Sequence, residues 1–277
     1  MLVEEVLRST EAALAEAGCL SSRGEAELAI RRLSIAGPGV PGARLSGAEV
    51  RSIQEYVERR RSGDPPQYIL GGCEFMGRWV SLDHTTYIPR PWTESMVRHG
   101  IAALGRTRRP RTVVDVGTGS GALAVVIAES VRDCVVWALD VDERAVGWAR
   151  TNTSRLSNVR VARSDLFGEL SPDLAGQVDL VLGSLPYVPS TELGTLPRDY
   201  REHEPVVALD GGTDGLALYR RALDEARPWL RGRGRVLFEL GHRQGHPLVA
   251  AARRLGYEGA QVHLDEEGDD LFLECRL

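Results

Sequence analysis

The sequence predicts an α/β protein, a doubly wound parallel sheet preceded by a small helical domain. Three observations predict it. From about residue 111 onward, five short apolar runs alternate with helix-like stretches, the pattern of parallel strands joined by helical crossovers. The first of these runs enters a glycine-rich turn that opens directly into a helix. Residues 1–90, by contrast, read mainly as helices.

The elements follow in order. Over residues 2–17, Leu2, Val3, Val6, Leu7, Ala13, Leu14 and Ala17 recur on one helical face, and Gly18 stands where a C-cap belongs. A second helix is expected over residues 25–36, ending at the breaker run GPGVPG. Ser46 opens a third, with Glu49 at capping-box spacing and Val50, Ile53 and Val57 on one face. This module reads as a lid or docking element. The segment PPQYILGGCEFMGRWVSLDHTTYIPRP then links it, through a small hairpin, to the larger part. The expected boundary lies at 1–90 and 91–277. In the second part TVVDVG, CVVWALD, NVRVARSD, VDLVLGS and RVLFELG are the strands, with GALAVVIAES and ERAVGWARTN as crossover helices. GAQVHL and LFLECRL flank the turn DEEGDD and predict a closing antiparallel pair.

Composition narrows the class. The chain has 277 residues, 43% hydrophobic and 26% charged, which fits a globular protein and excludes a disordered tail or a small disulfide scaffold. No window approaches ~18 uninterrupted apolar residues, so no membrane span is expected, and the acidic, amphipathic start does not read as a signal peptide. Cys19, Cys73, Cys134 and Cys275 lie far apart, as reduced thiols of a cytoplasmic protein would. A net charge of -5 argues against direct nucleic-acid binding.

The chemistry concentrates in Asp115-Val-Gly117-Thr118-Gly119-Ser-Gly121. Glycines there let the backbone pass close to a ligand. Asp140 ends the next run, where a carboxylate can accept both hydroxyls of a ribose, and Asp165 ends the third, where it can accept from an adenine amino group. Two cofactors fit. Gly117, Gly119 and Ala122 satisfy a relaxed dinucleotide fingerprint. Asp115, two residues before the first glycine, would repel a pyrophosphate but welcome the ammonium of S-adenosylmethionine, which makes the methyl donor the better match.

Further segments carry a resemblance: PPQYILG (65–71), EFMG (74–77), YIPRPWTE (87–94), DVGTGSGALA (115–124), SDLF (164–167), DLVLGSLPYVP (179–189), EPVVALDGGTDGLALYR (204–220) and FELGHRQG (238–245). In this order they resemble the protein-(glutamine-N5) methyltransferases that modify peptide chain release factors. The resemblance covers nearly the whole chain. It implies a Rossmann-like class I methyltransferase fold, seven strands with the last reversed, plus a small N-terminal helical domain. It also implies S-adenosylmethionine on Asp115, Gly117, Thr118, Gly119, Asp140 and Asp165, Tyr87 and Arg90 near the reacting groups, and a catalytic loop at Ser184, Leu185, Pro186 and Tyr187. The family's protein substrate carries a GGQ loop.

The chain departs from that family at the loop itself. The family's Asn-Pro-Pro-Tyr, whose asparagine orients the amide being methylated, reads Ser184-Leu185-Pro186-Tyr187 here, and IPRPET reads IPRPWT, so Trp92 replaces a carboxylate. The family's arginine after the final Gly-Asp pattern is also missing; GDDLF stands there. A serine hydroxyl is shorter than the asparagine side chain and its proton rotates. The expectation is therefore a recruited enzyme. Trp92, Leu185, Tyr87 and Tyr187, with His203 nearby, would line a site for a small electron-rich aromatic acceptor, such as an indole carbon or a ring nitrogen, in specialised metabolism. Methylation of the release-factor glutamine is the alternative, and a non-catalytic or dinucleotide-binding relative a remote third. If a proton must leave, Glu202, His203 and Glu204 are the candidate bases. His242 and His246 have i,i+4 spacing without a third ligand, so no metal site is expected. The basic run RTRRPR (106–111) reads as a solvated linker.

Overall fold

A computed structural model describes every residue of the chain except 36, 38, 39, 41 and 106–108. The chain divides into two compact units, Met1–Cys73 and Glu74–Leu277.

In the first unit, α1 (Val3–Glu16), α2 (Ser22–Leu33), α3 (Gly47–Arg61) and the short α4 (Pro66–Leu70) follow one another. Their apolar faces meet in one core that includes Val6, Leu14, Ile30, Ile53 and Tyr56. Ser46 caps α3 as its spacing predicts: its hydroxyl accepts from the Glu49 N–H at 3.3 Å, and the Glu49 carboxylate accepts from the Ser46 N–H at 2.8 Å. The second helix starts earlier than expected and stops at Leu33, because Ser34 turns to an extended conformation. Residue 36, the expected end, lies outside the described residues. Inside this unit Glu25 accepts from the Tyr56 hydroxyl at 2.7 Å and from Arg60 at 2.5 Å, tying α2 to α3.

Where the chain passes into the second unit, β1 (Gly72–Phe75) and β2 (Arg78–Ser81) pair as a two-stranded sheet. Met76 and Gly77, both at positive φ, make the tight connection. There follow α5 (Thr93–Leu104), β3 (Arg111–Val116), α6 (Ala122–Ser130), β4 (Cys134–Asp140), α7 (Glu143–Thr153), β5 (Val159–Arg163), β6 (Val178–Gly183), α8 (Arg198–His203), α9 (Ala217–Ala226), β7 (Leu230–Glu239), α10 (Gly245–Arg254), β8 (Glu258–Leu264) and β9 (Asp270–Arg276).

The seven strands form one sheet in the order β5-β4-β3-β6-β7-β9-β8. The first five in that order are parallel, and β9 inserts antiparallel beside β7. This is the seven-stranded sheet with a reversed last strand. Val114, Val116, Val181, Phe238 and Leu273 are buried in its core, which is why these strands read as continuous apolar runs. The strand order changes direction at β3, so a crevice opens at the carboxyl ends of β3, β4 and β6.

The basic run behaves differently from a solvated linker. Asp179, buried at the start of β6, accepts from Arg111 at 2.9 Å, from the Thr112 N–H at 3.0 Å and from Arg109. Burial alone would raise its pKa, but these donors more than offset that and hold it at about 2. Residues 106–108 of the run lie outside the described residues. His242 pairs with Asp269 at 2.9 Å and precedes α10, so it shares no helix with His246. Among the described residues no helix is long and apolar enough to cross a membrane.

Candidate active site

A cavity of about 560 Å³ lies at the crevice and is lined by the loops after β3, β4, β5 and β6, a volume suited to a nucleoside-sized ligand. Of the residues singled out in the sequence, it brings together Tyr87, Gly117, Thr118, Gly119, Asp140, Asp165, Ser184, Leu185 and Pro186. Asp115, Arg90, Trp92, Tyr187 and His203 do not line it.

The glycine loop is shaped by contacts on both sides. A side chain at Gly117 would meet the Leu185 Cδ2 at 2.7 Å, whereas over Gly119 there is open space. Both sit at positive φ, where glycine is the residue without penalty. Asp115 lies fully buried beneath the loop rather than in the cavity. Its Oδ2 accepts from the Thr118 hydroxyl at 2.6 Å and from the Ala124 N–H at 3.1 Å. Its Oδ1 is buried with no partner among the described residues. Burial pushes this carboxyl up to about 7. Asp140 is on the cavity wall, its oxygens accepting from the Gly119 and Asp142 N–H groups at 2.9 Å each. Each oxygen keeps a lone pair for a further donor, and burial raises its pKa as well. Asp165 is at the rim, its side chain 63% exposed and 2.8 Å from Arg221.

The loop after β6 is held from behind. Tyr219, buried in the core, donates its hydroxyl to the Leu185 carbonyl at 3.0 Å, and Gln244 donates to the Tyr187 carbonyl at 2.7 Å. The GGTDG segment lies against the same backbone: a side chain at Gly211 would meet the Pro186 carbonyl at 2.7 Å. Leu185 turns its side chain into the core. Ser184 lies near Glu239, a fully buried carboxylate at the end of β7 that accepts from the Trp92 indole N–H at 3.2 Å and from the Thr93 hydroxyl. Burial raises the Glu239 pKa against the pull of Thr93, Trp92 and Ser184.

Trp92 is thus 42% exposed, with its ring N–H engaged by Glu239. Tyr187 packs against the core. The expected aromatic enclosure is not formed, because the indole finds its hydrogen-bond partner behind the loop instead of in the cavity. Arg90 is a brace: it donates to the Tyr87 hydroxyl at 3.1 Å and to Glu204, and lies over the rings of Tyr87 and Tyr200. Of the three candidate bases, Glu202 is engaged by Arg198 and Arg201. His203 has a buried Nε2 without a partner among the described residues. The Glu204 carboxyl is pushed up to about 7 by burial, against the opposing charge of Arg90. Sequence reasoning missed Glu239, Tyr219 and Gln244; the matching segment FELGHRQG held the first and last without showing what they touch.

The donor set fits S-adenosylmethionine. Open space over Gly119 leaves room for the ligand backbone, Asp140 has lone pairs for two hydroxyls, and the orphaned Asp115 oxygen leaves an unused acceptor under the loop. A family described as methyltransferase domain matches residues 113–204. The hMettl16 catalytic domain, solved with a MAT2A 3'UTR hairpin, has the same fold, with a TM-score of 0.57 over 85% of each chain at 15% identity. The protein is an S-adenosylmethionine-dependent methyltransferase.

The relatives narrow the class. The release factor glutamine methyltransferase of Streptomyces coelicolor is 34% identical over 283 residues, covering 100% of this chain and 98% of that protein. That of Geobacter sulfurreducens is 34% identical over 235 residues, covering 84% of this chain and 80% of the relative. The chain belongs to the release factor glutamine methyltransferase family. This overturns the expectation of a small aromatic acceptor in specialised metabolism: relatives along the whole chain are release factor enzymes, and Trp92 and Tyr187, which were to enclose such an acceptor, do not line the cavity.

Proposed function

We propose that this chain methylates the side-chain nitrogen of the GGQ glutamine of a peptide chain release factor, with Ser184 in the place of the family's asparagine. The observation that supports this most directly is the match to a release factor glutamine methyltransferase along the whole chain; Ser184 stands near Glu239 behind the cavity wall. A serine alone is a poor substitute because its proton rotates. With Glu239 accepting that proton, the hydroxyl lone pairs turn toward the cavity and accept from the amide N–H of the incoming glutamine.

When bound, S-adenosylmethionine supplies an electrophilic methyl group on its sulfonium. Asp140 would accept from the ribose hydroxyls, Asp165 would accept from the adenine amino group, and Asp115, beneath the loop, would favour the donor's ammonium once ionised. The Leu185 carbonyl, with one lone pair on Tyr219, keeps the other for the acceptor amide. Pro186 stiffens the loop, and the Gln244 clamp on Tyr187 keeps it from drifting. Together these hold the amide nitrogen in line with the methyl group at ~3 Å, which is the main work asked of the protein. The nitrogen would gain the methyl group as the donor became a thioether, and the amide proton, made strongly acidic by alkylation, would pass to water. A release factor as partner places the reaction in the cytoplasm.

The test supplies labelled S-adenosylmethionine and a purified release factor. Label is expected in the intact factor and not in one whose GGQ glutamine is replaced by alanine. Equal labelling of both factors, or of neither, contradicts the proposal.

A further inference from the structure

We propose that the second unit carries a site for a divalent transition-metal ion of the zinc class, built by His99 on α5, His263 on β8 and Glu274 on β9. The Nε2 atoms of His99 and His263 lie 3.0 and 2.9 Å from one oxygen, Glu274 Oε2. One ligand atom from each residue falls within 4.8 Å of the others. Two ligands about 2.1 Å from a shared tetrahedral ion stand about 3.4 Å apart, a little wider than the 3.0 and 2.9 Å found between these groups without an ion.

Hydrogen bonding alone satisfies this cluster poorly. Gln261 also directs its amide nitrogen at Glu274 Oε2, at 3.1 Å. Three N–H donors then converge on an oxygen with two lone pairs, and both imidazoles must carry their proton on Nε2. An ion among them removes the crowding. Each imidazole presents a lone pair, and Gln261, whose amide can turn to face the ion with its oxygen, becomes a fourth ligand.

The surroundings are those of a built site. Glu274 is buried and Arg235 binds its other oxygen, so Oε2 is left to face the histidines. Phe272 stacks on the His263 ring at 4.3 Å and lies tilted against His99 at 5.4 Å, fixing both rings. Both histidines are partly exposed, which gives an ion a way in. Two imidazoles and a carboxylate suit zinc, cobalt or nickel rather than magnesium or calcium. None of the three residues lines the cavity, so the ion pins α5 to the edge hairpin and takes no part in methyl transfer. Sequence spacing hides the site, because it is the pairing of Gln261 with Glu274 across β8 and β9 that gathers residues so far apart.

The test titrates the tag-free chain with cobalt(II) alone, read by visible absorption, followed by zinc competition and a thermal melt. One equivalent of cobalt is expected, with ligand-field bands that zinc abolishes and a raised melting temperature. His263→Gln and His99→Gln should each weaken cobalt binding about tenfold or more, while His242→Ala leaves it unchanged. Gln at 263 keeps a donor for Glu274, so a normal melt of the metal-free variant separates loss of a ligand from loss of fold. No cobalt bands, or bands unaffected by both glutamine variants, overturn the proposal.

Discussion

Replacing Glu239 with glutamine is expected to slow methyl transfer while leaving the fold in place. The buried carboxylate takes the indole N–H of Trp92 at 3.2 Å and the Thr93 hydroxyl, and stands near Ser184, whose proton it accepts in the proposed function. An amide of the same shape offers one acceptor oxygen and turns an NH2 toward the remaining donors, so at least one is orphaned. Ser184 is the group most easily turned, by rotation about its C–O bond. Its lone pairs then face the amide and its proton faces the cavity. A hydrogen bond to a charged group contributes about 1.5–3 kcal/mol; lost in the transition state, that slows kcat about ten- to a hundredfold. The melting temperature should change little, because the neutral amide also relieves the burial that pushes the Glu239 pKa up. Initial rates at saturating donor and release factor, with a thermal melt, decide it. A kcat within about twofold of the parent and an unchanged melt would refute a role for Glu239 in setting the Ser184 hydroxyl. Should Glu239→Gln fail to fold, Ser184→Ala carries the same test from the cavity wall, with a loss of the same order expected.

Three further outcomes are expected. Gly215→Ala drives a methyl into the Tyr187 carbonyl at a positive φ, and should lower stability by about 2–4 kcal/mol, read by denaturant titration, with activity falling even in the folded fraction. Asp140→Asn should weaken S-adenosylmethionine binding about tenfold or more through loss of charged acceptors; calorimetric titration with an unchanged affinity would remove Asp140 from the donor site. Asp179 is held at about 2 against its ordinary 3.8. Its lowered pKa therefore stabilises the fold above about pH 4, and that stability is lost as pH falls through 2, by about 2 kcal/mol. Acid titration of Asp179→Asn should show a correspondingly shallower loss.

Much of the fold was legible because its signals are local. The strands β3 and β6 are largely buried on both faces and so read as unbroken apolar runs, and the turn between β3 and α6 needs glycines that few other contexts need. The seven-stranded arrangement came from the resemblance, with the closing hairpin visible beforehand as two short runs around DEEGDD. The acceptor was misjudged because residue identity does not say which way a side chain turns. Trp92 suggested an apolar wall, yet its indole N–H reaches Glu239, which lies far off in sequence. Ser184 reads as a weakened asparagine because Glu239, the carboxylate near it, belongs to a strand far off in sequence. The Asp179 brace was hidden for the same reason: Arg109 and Arg111 look like part of a charged linker until β6 brings the acid to them.

The most direct test of the central claim is to locate the methyl group on the acceptor. The purified chain is given S-adenosylmethionine and a release factor, the factor is digested, and the GGQ peptide is fragmented in a mass spectrometer. One methyl group on the side-chain nitrogen of the glutamine, formed about ten- to a hundredfold more slowly when Ser184 is alanine, is the predicted result. A GGQ peptide left unmodified under conditions where the chain binds its donor would contradict it.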